Sequence, residues 1–90
     1  MVLSTVRVEE FDRFWEIFST KGAEKRRQHG SKGSQVFRDP NDDNRVWVLL
    51  DLDEEGFKNF LSDPDMAAIF QEAGLRGKPE MAELLRELDA

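Results

Sequence analysis

The 90-residue chain predicts an α+β fold, and three observations carry that prediction. Val46-Trp47-Val48-Leu49-Leu50-Asp51-Leu52 is a strand-like run rich in β-branched and aromatic side chains. Phe11, Phe14, Trp15 and Phe18 fall at i, i+3, i+4 and i+7, the spacing of one helical face. Asp39-Pro40-Asn41-Asp42-Asp43-Asn44 is turn-like, which folds the run at 46–52 back antiparallel on the segment before it. The run itself is the most informative feature. Val46, Val48, Leu50 and Leu52 lie on one side of a period-2 strand and Trp47 and Leu49 on the other, so both sides need cover. One layer of helices covers one side only. The other cover is expected from a second copy of the chain.

Each element follows from its local residues. Val2–Val8 reads as a first strand, with Val2, Val6 and Val8 on one face and Leu3, Thr5 and Arg7 on the other. From Glu9 the period becomes helical, and Glu9, Glu10 and Asp12 suit the positive end of a helix dipole. That helix is expected to run to Gln28, with Gly22 as its weak point and Gly30 as its stop. After the loop from His29 to Gly33, Ser34–Arg38 forms a short second strand and Val46–Leu52 a third. Asp53 caps a helix carrying Phe57, Phe60 and Leu61, which Asp63-Pro64 ends. A shorter helix over Asp65–Ala73 presents Met66, Ile69 and Phe70 before Gly74. The last segment divides. Met81, Leu84, Leu85 and Leu88 have helical spacing, whereas Ala82, Leu84 and Leu88 against Glu83, Leu85 and Glu87 also fit a strand.

Composition narrows the function classes. Residues 1–90 make one domain, and a chain of this size buries only about 60–65% of the surface that its unfolded form exposes. Association would add stability. Burying about four apolar side chains of the open sheet face is worth roughly 6–12 kcal/mol per protomer as an upper bound. A homodimer is therefore expected. The chain has no cysteine, which removes disulfides and thiolate metal sites and suits a reducing cytoplasm. No signal segment or membrane span is recognisable, so the expectation is a cytoplasmic protein with no membrane partner. A net charge of −6 argues against nucleic acid as a partner. The basic residues concentrate at Lys21, Lys25, Arg26, Arg27, His29 and Lys32, at the negative end of the expected helix.

Several segments together resemble a known group: Phe11-Asp12-Arg13-Phe14-Trp15, Arg27-Gln28-His29-Gly30, Val36-Phe37-Arg38-Asp39 with the acidic turn, Val46 to Leu52, Asp63-Pro64-Asp65-Met66, and Ala73-Gly74. In that order the chain is similar to small proteins of the dimeric α+β barrel superfamily, which contains the antibiotic-biosynthesis-type monooxygenases. The resemblance implies a ferredoxin-like β-α-β-β-α-β fold with an antiparallel sheet, and two protomers whose sheets face each other as a barrel. It also implies that Met81 to Leu88 is the fourth strand, with strand exchange or a C-terminal arm fixing the dimer. Activity in that group needs no cofactor, and none is expected here.

His29 is the sole side chain of its type, so a general acid or base working near neutrality is first sought there. Its plainer reading is a helix-end cation. Trp15, Phe37 and Trp47 are candidates to line a pocket for an apolar or aromatic small molecule, against the alternative that they fill the core. The acidic turn lacks the glycine and distal glutamate of a calcium loop, and no metal site is expected. Arg7, Arg38 and Arg45 fit ion pairs on the sheet surface. Three classes of function follow. The first is a cofactor-independent monooxygenase-type enzyme with an apolar, aromatic pocket between sheet and helices. The others are a non-catalytic binder or regulator using that pocket, and a protein-interaction module. The chain has no tyrosine, so no tyrosine-based polar constellation guides the choice.

Overall fold

The computed structural model describes residues 1–90. Alternation of β-branched and polar residues places Val2–Val8 in β1, and the helical spacing of aromatics places Phe11–Phe18 in α1. Lys21–Gln28 forms α2, Ser34–Asp39 forms β2 and Asp42–Leu50 forms β3. Glu54–Ser62 forms α3, Met66–Glu72 forms α4 and Leu75–Met81 forms β4. The four strands make one antiparallel sheet in the order β2-β3-β1-β4, the ferredoxin-like arrangement in which the two central strands are the first and third. Val2 pairs with Leu50, Ser4 with Val48 and Val6 with Val46. This register stacks the inward side chains of both central strands on one face, where Phe14, Phe57, Phe60 and Met66 from the helices close over them.

Three expectations change. The single helix to Gln28 is broken between Phe18 and Lys21. Ser19 Oγ donates to the Trp15 carbonyl (2.6 Å) and Thr20 Oγ1 to that of Glu16 (2.6 Å), and Thr20 leaves helical geometry. These hydroxyls compete with the backbone ladder and turn the chain two residues before Gly22. The hairpin turn contracts to Pro40 and Asn41, and β3 begins at Asp42. Asp39 Oδ1 accepts from the Asn41 amide (2.8 Å) and Asp42 Oδ1 from that of Asn44 (3.0 Å), so the acidic side chains fix the tight bend and free their neighbours to extend. Leu52 lies past the strand yet is buried.

The fourth strand lies at Leu75–Met81, and Ala82 to Ala90 has neither helix nor strand. Gly74, at φ +75°, ends α4 in the left-handed region and delivers Leu75 directly beside Val8. The strand then runs antiparallel down β1 to Met81 opposite Ser4, and the Ala82 amide donates to the Leu3 carbonyl (2.8 Å). There β1 is used up. Residues 83–88 extend past its start with no strand to pair with, and Leu84, Leu85 and Leu88 stand exposed. Pro79 is tolerated because β4 is an edge strand.

Candidate functional site

A cavity of about 60 Å³ lies between the sheet and the helices. Val48 and Leu50 form its floor; Phe14, Phe57, Phe60 and Met66 form much of its roof. Its polar wall is small. Ser4 Oγ donates to the Glu80 carbonyl (2.9 Å), which ties the β1 floor to β4. Arg26 is the sole charged side chain in the lining, and only 7% of it is exposed. Its Nη2 donates to the Phe18 carbonyl (2.8 Å), and its guanidinium carbon sits 3.6 Å from the centre of the Phe18 ring. Burial first, and the nearby charge of Arg27 second, push the Arg26 pKa down to about 10. It therefore remains a cation at neutral pH.

The break between α1 and α2 makes this placement possible, because it turns α2 back so that Arg26 reaches the C-terminal carbonyl of α1. Gly22, one turn earlier, leaves the room. A Cβ there would stand 3.1 Å from Arg26 Nη1 and 3.1 Å from the Ile17 carbonyl oxygen. In the sequence Arg26 stands only within a basic stretch at a helix end. A signal was present: the segment Lys21 to Gln28 offers only Gly22 and Ala23 as nonpolar residues, so its inward face must include a long polar stem.

His29 caps the C-terminal end of α2 outside this lining. It belongs to a charged cluster in which Asp63 Oδ2 receives His29 Nε2 (2.9 Å) and Lys25 Nζ (3.1 Å). Lys25 also reaches Asp65 Oδ2 (2.7 Å). The His29 hydrogen bond, the Asp65 amide and Lys25 hold the Asp63 carboxyl well below the usual carboxylate range. Hydrogen bonds to Asp65 and Asp63 raise the Lys25 ammonium. The cluster pins α2 to the turn between α3 and α4, and the imidazole meets the Phe60 ring edge-on at 6.0 Å. His29 thus stands behind a cavity wall residue.

The aromatic candidates are divided between two surfaces. Trp15 is 47% exposed on α1, stacked between Phe11 (6.3 Å) and Phe18 (5.9 Å). Phe37 and Trp47 are directly paired across β2 and β3 on the outer side of the sheet, away from the helices. Trp47 Nε1 donates to Asp39 Oδ2 (2.8 Å), which with the Asn41 amide lowers the Asp39 pKa. None of the three lines the cavity, whose aromatics are Phe14, Phe18, Phe57, Phe60 and Phe70. An open cleft lies outside, along Leu61, Pro64 and Lys78; Phe70 and Leu75 belong to both its wall and the cavity's. No group of three or more His, Asp or Glu side chains is arranged to hold a metal ion. No helix is long and apolar enough to cross a membrane.

No protein-family model and no curated protein matches the sequence. Solved structures do match its shape. Tetracenomycin F2 cyclase from Streptomyces glaucescens, described as a type-II polyketide cyclase, superposes with a TM-score of 0.69 at 16% identity, over 99% of this chain and 96% of that one. SnoaB from Streptomyces nogalater, described as a cofactor-independent oxygenase, gives 0.66 at 17% identity, over 99% and 95%. A protein described as an antibiotic biosynthesis monooxygenase gives 0.58 at 13% identity, over 94% and 97%. The chain has the fold of the antibiotic biosynthesis monooxygenases. The fold by itself does not name a chemistry.

Proposed function

We propose that this protein is a small-molecule enzyme of the cofactor-independent monooxygenase type, acting on an electron-rich aromatic compound held in the cavity beneath the helices. The observation that carries this reading is an apolar pocket between sheet and helices whose wall holds one cation and no acid or base. An apolar wall alone disfavours the ionised form of an enol or phenol, the form that gives electrons to oxygen, and the Arg26 cation offsets that cost. A keto tautomer's CH2 becomes a carbonyl, one oxygen atom of O2 enters the product, and the other leaves as water with both hydrogens. The described activities of SnoaB and its structural relatives support the same class. At about 60 Å³ the pocket is smaller than a fused ring system, so binding one must displace part of the wall, and Phe70 and Leu75 also border the open cleft.

The working form is proposed to be a homodimer. Leu3, Phe37, Trp47 and Leu49 share the outer sheet face, and the tail leucines lie beyond the last paired residue. A face-to-face sheet contact would cover the first set and offer the second a strand or groove in the partner. Oxygen uptake with 1,3-dihydroxynaphthalene in the presence of a chelator tests the activity. Protein-dependent uptake with formation of 2-hydroxy-1,4-naphthoquinone and water supports an oxygenase; uptake equal to the protein-free rate removes it for this compound class. The absence of an acid or base in the lining also favours a second reading, non-catalytic binding of the same ligands. Native mass spectrometry separates the two: a retained small molecule without turnover supports the binder, and the same spectrum gives the subunit count.

A further inference from the structure

We infer that Arg26 is the recognition residue of the cavity, and that it selects ligands which carry a flat apolar body and one anionic oxygen group, such as a carboxylate, enolate or phenolate. This rests on the reading of the cavity as a ligand chamber. The guanidinium is the sole charge in the lining, belongs to a residue that is only 7% exposed, and forms no ion pair with any carboxylate. A guanidinium carries several N–H donors in a planar fork, yet one protein acceptor, the Phe18 carbonyl, engages it. Keeping a cation in such a place without a counter-charge is unfavourable, and an oxyanion would relieve it through charge-assisted hydrogen bonds.

The surroundings fix where such an anion would sit. Phe18 stacks on one face of the guanidinium and supplies the carbonyl that holds Nη2, so the fork is oriented before any ligand arrives. Gly22 keeps a side chain from the space beside Nη1. The rest of the wall is aliphatic or phenyl, apart from the Ser4 hydroxyl, whose proton is directed at the Glu80 carbonyl. A neutral aromatic would leave the cation unmatched, whereas an anion of the same shape would match both the apolar wall and the charge. The lining has no base, so an enol or phenol must give its proton to solvent on binding, whereas a carboxylate arrives already ionised near neutral pH and is the simplest match.

Titration calorimetry of the full chain with 2-naphthoate and with its uncharged isostere 2-naphthamide tests the assignment. Wild-type protein is expected to bind one 2-naphthoate per chain at least about tenfold tighter than 2-naphthamide. Arg26→Met should erase that preference while leaving 2-naphthamide affinity within about twofold, and Arg26→Lys should keep part of it. Equal affinity of wild-type protein for the two compounds would overturn the role of Arg26, even if Arg26→Met fails to fold. So would a preference that survives in Arg26→Met. Failure of both compounds to bind at millimolar concentration would instead overturn the chamber reading, and the inference with it.

Discussion

The two faces of the sheet come from the same strands, often from adjacent residues, and meet opposite fates. Inward, Val6, Val8, Val46, Val48 and Leu50 are buried under the helices. Outward, Leu3 is 38% and Phe37 51% exposed, with Trp47 and Leu49 partly covered by their neighbours. The cause is connection geometry. Both helical crossovers, α1–α2 and α3–α4, return on one side of the sheet, which is how a right-handed crossover packs a helix onto twisted strands. Strand periodicity thus sorts side chains into two faces, while topology decides which face is roofed. The roofed face floors the cavity; the bare one is the proposed dimer surface.

Neighbouring substitutions break the comparison most directly. Val48→Asp places a charge under the roof and should cost on the order of 4 kcal/mol or more, enough to prevent stable folding in a domain of ordinary stability; urea titration followed by circular dichroism reads it. Next, Phe57→Ala in the roof should lose about 3–5 kcal/mol and enlarge the cavity. Leu49→Asp, one residue from Val48 but on the other face, should cost the isolated chain no more than about 1 kcal/mol and convert a dimer to a monomer in native mass spectra. If Leu49→Asp unfolds the chain as Val48→Asp does, the faces are energetically equivalent and the comparison fails.

A finer prediction concerns the cluster that anchors the roof. The folded state holds the Asp63 carboxyl below its unfolded value, so its contribution is present above about pH 4 and is lost as pH falls through the folded value. Asp63→Asn should therefore lower stability at pH 6 and flatten the acid limb between pH 5 and pH 2, read by urea midpoints across that range. An acid limb as steep as wild type would show that the cluster does not link α2 to the α3–α4 turn energetically. The smallest effect is expected from replacing Leu84, Leu85 and Leu88 with serine. The exposed tail should leave the isolated chain within about 0.5 kcal/mol of wild type, so that any loss appears only in association.

Much of the fold was legible because it repeats. The alternation in Val2–Val8 and Val46–Leu50 and the spacing of Phe57 and Phe60 each reflect a local period that the structure preserves. The Asp53 cap is equally local: its side chain accepts from the Gly56 amide at 2.7 Å. The site was less legible. Phe37 and Trp47 stand out as large aromatics, but residue size does not tell which side of the sheet a helix will cover, and Trp15 lies half-exposed on α1 itself. His29 was singled out for its chemistry, and the structure gives it to Asp63 at the outer edge of the roof. Arg26 stands out in the sequence only as part of a basic stretch, because its importance comes from burial, a property of where α2 lands.

The sequence by itself determined the order strand, helix, hairpin, helix as far as Gly74, the two-faced third strand and the inward residues of β1, because each depends on periods of two or 3.6 residues along the chain. Tertiary structure alone decided where β4 begins and ends, since its extent is set by the length of β1 left to pair with after Gly74 releases the chain. It also decided the site. The break at Ser19 and Thr20 turns α2 back toward α1 and carries a surface-type residue to the wall of an apolar cavity, where Arg26 is the single charge.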